Sequence, residues 1–283
     1  MKVLIIGGTG SLGSALAGEA DARGWDVVSS GSRSGDLICD IRDLNALDRL
    51  LESVDADTVI NAAALVDLGL CEAQPGQAWM VNARPVAALA RWSSRQKRRL
   101  VQVSTDHYYV GDGDIAHAED ANVTLVNEYA RSKYAAETFA LTDSNALVLR
   151  TTFVGKSPME ERSTFFDWVV KSLEDGDPMT LFEDAFFSPI EVSALAVAIC
   201  DLMQGEATGV LNVAGHEVVS KADFIRAVAQ FRGNALDNTK TGSVEMLSPR
   251  RGDSLGLDVS RAQALLGRRL PGLECAVQAL CSP

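Results

Sequence analysis

Tyr129 and Lys133 are four residues apart in a segment whose pattern predicts a helix over 128–141. Positions i and i+4 share one face of a helix, so the phenol and the ammonium can point into the same cleft. An ammonium beside a phenol favours the deprotonated phenol, which suits proton transfer near neutral pH. The pair therefore predicts a site for proton chemistry.

Thr105 and Asp106 follow the segment 100–104, Leu-Val-Gln-Val-Ser, which is predicted to be a strand. The carboxyl ends of strands in an open parallel sheet face the ligand crevice. Alone, these two side chains would be ordinary for a turn or a helix cap. Together with Tyr129 and Lys133 they predict a catalytic group of four residues, because proton chemistry needs several converging polar groups.

Glycines at positions 7, 10 and 13 follow the apolar run Val3 to Ile6 and open a predicted helix. Glycines allow a tight turn and let the backbone approach a pyrophosphate, whose charge lies against the helix N-terminus. The strand, turn and helix context predicts a dinucleotide site. A structural turn without a ligand is the alternative.

The second predicted strand, Asp26 to Ser29, bears on the choice of dinucleotide. It runs into Ser30 and Arg33 with no carboxylate to hold a ribose 2′-hydroxyl. An arginine among small hydroxyl residues favours a 2′-phosphate, so NADP is predicted and NAD is the alternative. Asp40 either accepts from the adenine amino group or caps the helix that begins near Asp43.

Composition excludes several classes of protein. The chain has 283 residues, with 26 Lys and Arg against 38 Asp and Glu, a net charge of −12. This balance argues against a nucleic-acid or anionic-membrane binder. Five unpaired-looking cysteines and three scattered histidines predict a cytoplasmic protein without disulfides or a metal site. No apolar run approaches the ~20 residues of a membrane span.

Strands alternate with helices up to residue 150, which predicts an α/β fold: a Rossmann-like, doubly wound parallel sheet. Pro85 lies within a predicted helix over 77–92 and should kink it near Asn82. Beyond residue 151 the pattern is irregular, with a short last helix over 261–266. We therefore expect a dinucleotide-binding domain over 1–153. Residues 154–283 should form a smaller C-terminal substrate lobe, with some elements returning to the first domain.

These motifs together resemble the extended short-chain dehydrogenase/reductase superfamily, and within it the dTDP-4-dehydrorhamnose reductase family. The segments that carry the resemblance lie at 7–13, 59–64, 66–72, 81–83, 104–106, 127–133 and 149–151. Ser188-Pro189-Ile190 is similar to a later proline-containing segment of the family. Residues 251–258 loosely resemble its C-terminal arginine motif.

The resemblance implies roles for individual residues. Tyr129 would donate the proton, Lys133 would hold the nicotinamide ribose, Thr105 would bind the substrate carbonyl, and Asn82 would be structural or part of a proton relay. The expected catalytic residues are Thr105, Asp106, Tyr129 and Lys133. The expected cofactor-binding residues are Gly7, Thr9, Gly10, Ser11, Leu12, Gly13, Ser32, Arg33, Asp40, Ile41, Ala62, Ala63, Ala64, Asn82, Tyr129 and Lys133. The expected substrate-binding residues are Thr105, Asp106, Phe153 and Arg251.

Some residues of this chain differ from the family pattern at positions that face the substrate in the family. These differences leave the identity of the sugar open. Where the family continues with Tyr-Val-Phe after Asp106, this chain has His107-Tyr108-Tyr109, and Phe153 stands where a tryptophan is usual. Phe153 either lines the substrate pocket or packs in the core. Lys156, Arg162, Arg250 and Arg251 are the candidate cations for a substrate diphosphate.

The expected function is an NADPH-dependent reductase of a 4-keto sugar nucleotide. The sequence leaves open whether the chain forms a homodimer. One alternative is a nucleotide-sugar epimerase or dehydratase that retains NAD. Another is a non-catalytic dinucleotide-binding regulatory subunit, against which intact Tyr129, Lys133 and Thr105 argue.

Overall fold

The computed structural model describes residues 1–158 and 163–282. Contacts divide the chain into two compact units. The first unit comprises Met1–Thr105, Asn127–Arg150 and Ala196–Leu211, and the second comprises Asp106–Val126, Thr151–Leu195 and Asn212–Pro283. A single boundary after residue 153 does not describe this division, because the chain passes between the units several times.

A seven-stranded parallel sheet forms the centre of the first unit, in the order β3-β2-β1-β4-β5-β6-β9. Its strands are β1 (Lys2–Ile6), β2 (Asp26–Gly31), β3 (Leu37–Ile38), β4 (Thr58–Asn61), β5 (Arg99–Val103), β6 (Leu147–Arg150) and β9 (Gly209–Asn212). The strand order reverses between β1 and β4, which pair in register from Val3 with Thr58 to Ile6 with Asn61. Ligands of such sheets bind at this reversal, beyond the carboxyl ends of the strands.

Six helices accompany the strands up to β6: α1 (Ser11–Ala22), α2 (Leu44–Val54), α3 (Leu68–Ala73), α4 (Pro75–Asn82), α5 (Arg84–Gln96) and α6 (Glu128–Ala140). Apolar faces of α2, α5 and α6 pack with β1, β4, β5 and β6 into one buried core. The predicted doubly wound fold is confirmed.

The predicted kink at Asn82 is a complete break. Helix α4 ends at Asn82, Ala83 separates the helices, and α5 begins at Arg84 with Pro85 in its first turn. A proline costs little at that position because the N–H it lacks has no partner within the helix. Pro85 therefore starts a helix here instead of bending one.

The second unit is built from short elements around its own core. They are α7 (Phe165–Asp175), β7 (Met179–Phe182), β8 (Phe186–Phe187), β10 (Val219–Ser220), α9 (Lys221–Arg232), β11 (Thr239–Gly242), β12 (Ser254–Leu255), α10 (Ser260–Leu266) and α11 (Leu273–Cys281). A 3₁₀ turn covers Val244–Met246, and the unit boundary falls within α8 (Val192–Met203). The sequence analysis predicted α10 as the last helix, which is wrong because α11 follows Gly272.

Three general features concern the described residues as a whole. No helix among them is both long and apolar enough to cross a membrane. No three or more His, Cys, Asp or Glu side chains cluster there in a way that could hold a metal ion. All five cysteines are free thiols.

Candidate active site

The loop from Gly7 to Gly10 joins β1 to α1 and is held by the end of β2. The N–H groups of Gly7 and Gly8 donate to the Ser30 carbonyl oxygen at 2.8 and 3.0 Å, and the Gly10 N–H donates to the Gly7 carbonyl oxygen at 3.0 Å. These bonds fix a tight turn at the carboxyl end of the sheet. The shape of the loop is therefore set by hydrogen bonds within the protein.

Two of the loop glycines are required by close backbone approach. Gly7 has φ +81°, and a Cβ there would lie 2.6 Å from the Ala63 nitrogen. A Cβ on Gly13 would lie 2.0 Å from the Gly7 oxygen. A Cβ on Gly10 would instead meet only the Gly7 oxygen, at 3.4 Å. Gly10 is the N-cap residue of α1, and no side chain caps the helix there. The first-turn N–H groups of α1 thus lack a side-chain cap, and the loop fits the pyrophosphate of a dinucleotide.

At the end of β2, Ser32 and Arg33 are exposed. The next carboxylate along the chain, Asp36, accepts from both the N–H and the hydroxyl of Ser29 at 2.8 Å. These bonds hold the pKa of Asp36 below its ordinary value. No sequence motif pointed to Asp36, whose carboxylate is bound by Ser29 of β2 itself.

Asp40 does not cap the following helix. Its carboxylate accepts two-pronged hydrogen bonds from the Arg42 guanidinium, the shortest 2.6 Å, which lower the pKa of Asp40. Asp43 caps α2 instead, accepting from the N–H groups of Asn45 and Ala46. Of the two alternatives for Asp40, the cap is wrong and the adenine contact stays a prediction. Ile41 beside it is buried.

Asn82 joins the loop after β4 to helix α6. Its side-chain oxygen accepts from the Leu65 N–H at 2.7 Å, and its amide donates to the Leu65 oxygen at 3.1 Å and to the Ser132 hydroxyl at 3.0 Å. The side chain is buried. Through these bonds Asn82 holds Leu65, the residue that follows the predicted cofactor-binding segment 62–64, whose three alanines are half-buried.

Tyr129 and Lys133 lie on successive turns of α6, as the spacing predicts. The Tyr129 side chain packs with Cys71 and Ala78 and keeps 8% of its surface exposed. The Lys133 ammonium donates to the Val103 carbonyl oxygen at the end of β5, at 2.7 Å. Burial lowers the pKa of Lys133 to about 8, against the opposing charge of Glu137. The ammonium keeps two further N–H donors beyond this bond.

Thr105 and Asp106 follow β5 and are both almost fully buried. Thr105 ends a segment of the first unit and Asp106 begins one of the second. Burial raises the pKa of Asp106, while the charges of His107 and Lys221 oppose that rise. The nearer His107 ring nitrogen lies 3.8 Å from the carboxylate. Asp106 therefore belongs to a charged cluster of the second unit.

Phe153 and Arg251, two predicted substrate residues of the second unit, are both exposed. Phe153 is 37% exposed, so core packing does not describe it. Arg251 is exposed, and among the described residues it forms no ion pair with Asp253, which accepts from the Gly111 N–H and the Ser254 hydroxyl. Lys156 is exposed as well, and Arg162 lies outside the described residues.

The departure after Asp106 divides into exposed and core residues. The side chain of His107 is 25% exposed, whereas Tyr108 and Tyr109 are fully buried. Tyr109 stacks on His117 with ring centroids 3.9 Å apart. Of the three residues that differ from the family pattern, His107 is therefore the one whose side chain is partly exposed.

Three charged residues near the predicted site residues were not predicted from the sequence. Glu137 and Arg150 form a buried ion pair at 2.9 Å, and the Ser104 hydroxyl donates to Glu137 at 2.5 Å. Lys221 begins α9 in the second unit. Glu137 stands four residues after Lys133, so helix periodicity could have found it; Arg150 and Lys221 carry no motif of their own.

Comparison with known proteins identifies the family to which the chain is similar. The family described as RmlD substrate binding domain matches residues 1–281. A probable low-salt glycan biosynthesis reductase, Agl14, of Haloferax volcanii is 29% identical over 99% of this chain and 97% of its own. A dTDP-4-dehydrorhamnose reductase of Mycobacterium tuberculosis is 34% identical over 80% of this chain and 74% of its own. A crystal structure of dTDP-4-dehydrorhamnose reductase from Bacillus anthracis in complex with NADP has a TM-score of 0.88 at 22% identity, covering 99% and 98% of the two chains, and shares the fold.

Fold, site and comparisons define an NAD(P)-dependent oxidoreductase of the extended short-chain dehydrogenase/reductase type. The chain belongs to the family of the RmlD substrate binding domain. The resemblance to dTDP-4-dehydrorhamnose reductases noted in the sequence is thereby confirmed.

Proposed function

We propose that this protein is an NADPH-dependent reductase of a 4-keto sugar nucleotide. The observation that carries the proposal is the bond between the Lys133 ammonium and the Val103 oxygen. This bond joins the helix of Tyr129 to the strand that leads into Thr105. The names of the relatives support the substrate class.

When bound, the dinucleotide supplies a hydride for the carbonyl carbon. The glycine loop over 7–13 and segment 62–64 would receive its pyrophosphate and adjoining groups, and Lys133 would bind the nicotinamide ribose through its remaining donors. These residues fit the dinucleotide because the loop leaves no room for larger side chains at Gly7 and Gly13.

Proton delivery is assigned to Tyr129. The Thr105 hydroxyl donates a hydrogen bond to the substrate carbonyl oxygen and holds it, and the Tyr129 phenol gives its proton to that oxygen as the alcohol forms. The Lys133 charge favours the phenolate that remains. Asp106 is buried and follows Thr105 in the sequence, and its carboxylate accepts a hydrogen bond from a sugar hydroxyl.

The test of this function is a turnover assay. The protein is mixed with NADPH and a panel of 4-keto sugar nucleotides that includes dTDP-4-dehydrorhamnose, and the absorbance of reduced nicotinamide is followed. Oxidation of NADPH that depends on a keto substrate supports the reductase. Conversion of a sugar nucleotide without net NADPH oxidation would instead establish the epimerase or dehydratase alternative.

Arg33→Ala should narrow the preference for NADPH over NADH. We expect the unchanged chain to bind NADPH more tightly, because the exposed guanidinium can pair with the 2′-phosphate. Loss of one charge-assisted hydrogen bond should weaken NADPH binding about tenfold to a hundredfold, with little effect on NADH. Titration by fluorescence measures both affinities, with exposed Arg49→Ala as the control. Equal affinities in the unchanged chain would contradict the prediction.

Arg251→Ala should raise the KM for the sugar nucleotide about tenfold and change kcat little. Its expected contact is a phosphate that ground state and transition state share, and loss of such uniform binding appears mainly in KM. Steady-state kinetics at saturating NADPH checks this, with Arg269→Ala as a second exposed arginine of the same unit. An unchanged KM would place the phosphate site elsewhere.

A further inference from the structure

Lys221 presents an ammonium that nothing in the described residues neutralises by direct contact. It is half-buried at the start of α9, and its Nζ lies 3.3 Å from the centre of the Phe187 ring and 4.7 Å from that of Phe165. The backbone N–H of Lys221 donates to the Ala185 carbonyl oxygen, but among the described residues the ammonium itself has no ion pair with a carboxylate and no hydrogen-bond acceptor. Aromatic faces only partly replace the water that a buried cation loses. An anionic ligand would therefore bind the Lys221 ammonium favourably.

Its electrostatic surroundings are the predicted substrate residues. Burial lowers the pKa of Lys221 to about 8; the charge of Asp106 opposes this and the charge of Arg251 adds to it. Burial also lowers the pKa of His107, which keeps that ring neutral near pH 7. Two cations thus face one carboxylate in a chain whose net charge is −12.

We infer that Lys221, together with Arg251, binds the diphosphate of the nucleotide ligand. This inference rests on the proposed function and adds a residue to which no motif pointed. The Arg251 fork suits two phosphate oxygens, and the Lys221 ammonium supplies a compact charge for the other phosphate.

A carboxylate on the sugar is the competing anion. It would carry one charge, leaving the second cation unmatched, and beside Asp106 it would meet a like charge. A sugar hydroxyl can instead donate to Asp106. The observations therefore favour the diphosphate over an acidic sugar.

The test uses the full chain saturated with NADP⁺, so that nucleotides cannot enter the dinucleotide site. Calorimetric titration with dTDP and UDP is compared with titration with thymidine and uridine. Lys221→Met keeps a flexible stem over the two rings but removes the charge. It should weaken binding of both diphosphates at least about tenfold and leave nucleoside binding unchanged. Lys221→Arg should retain binding, and exposed Lys171→Met serves as the control.

The pH dependence gives a second readout. The charged and titratable groups that face Lys221 are Asp106 and His107 after β5 and Arg251 before β12, while β8 and α7 present aromatic rings. With its pKa lowered to about 8, Lys221 is charged at pH 7 and mostly neutral at pH 9. Affinity for dTDP should therefore fall over this range in the unchanged chain and persist in Lys221→Arg.

The outcomes separate this inference from the proposed function. If the unchanged chain binds dTDP or UDP and Lys221→Met binds them equally well, the Lys221 assignment is overturned and the reductase proposal stands. If Lys221→Met weakens UDP-glucuronate but not UDP, the residue binds a sugar carboxylate and the diphosphate assignment is overturned. If the unchanged chain binds NADP⁺ but no nucleoside diphosphate, both fail.

Discussion

Tyr129→Phe is expected to lower turnover about 10²–10⁴-fold, the range typical for loss of a general acid. The substitution removes the phenolic O–H and keeps the ring, which packs with Cys71 and Ala78. Folding and NADPH binding should survive because Lys133 still donates to Val103. The measurements are kcat from NADPH oxidation, the dissociation constant for NADPH and the thermal midpoint.

A matched control is available on the same helix. Tyr134→Phe removes a phenolic O–H five residues further along α6, on a different face, and should leave kcat within about twofold. If Tyr129→Phe keeps its turnover, Tyr129 is not the proton donor, and Asp106 or a water molecule takes that role. If it loses NADPH affinity as strongly as turnover, its contribution lies in binding and not in proton transfer.

The parts of the site that the sequence predicts are those that one local segment specifies. Gly7 and Gly13 have their spacing because a Cβ at either position would collide with backbone, and Tyr129 and Lys133 share a face because helix geometry requires it. The glycine spacing and the helix periodicity are both visible within one segment, although the backbone that a Cβ on Gly7 would meet belongs to Ala63. The parallel arrangement of the sheet follows from the alternation of strands and helices along the sequence, whereas the order of the strands was not predicted.

Long-range packing decides what the sequence could not reveal. Strands of two residues, such as β8 and β10, have no periodicity to detect, and Pro85 is compatible with both a kink and a helix start. Lys221 appears in the sequence as an ordinary first residue of a helix. It becomes notable when Phe165 and Phe187, 56 and 34 residues earlier, are seen beneath its ammonium.

Glu137→Gln is expected to destabilise the fold by about 3–5 kcal/mol, because it removes the negative charge that compensates the buried Arg150 guanidinium. Both side chains are at most 5% exposed. The Arg150 guanidinium donates to both carboxylate oxygens at 2.9 to 3.2 Å, and the Ser104 hydroxyl donates to the same group. Urea unfolding of the purified variant measures the loss as a lower midpoint at an unchanged slope.

An exposed pair provides the control for the role of burial. Arg226 and Glu183 lie 2.5 Å apart with both side chains over 40% exposed. Glu183→Gln should cost no more than about 1 kcal/mol, since solvent and salt screen such pairs. Equal losses in the two variants would show that burial does not set the strength of the Glu137 pair.

The double variant Glu137→Leu with Arg150→Met separates the energetic role of the pair from its effect on Lys133. Removing both charges avoids an uncompensated one, so much of the lost stability should return. The activity at alkaline pH should nevertheless stay below that of the unchanged chain, because the Glu137 charge raises the pKa of Lys133 against burial, which has already lowered it to about 8. Without that carboxylate the Lys133 pKa falls further, and the ammonium loses its charge at a lower pH. The alkaline limb of the kcat profile should therefore shift to lower pH in a stable double variant. A double variant that regains stability and keeps the pH profile of the unchanged chain would show that Glu137 holds the helix without tuning Lys133.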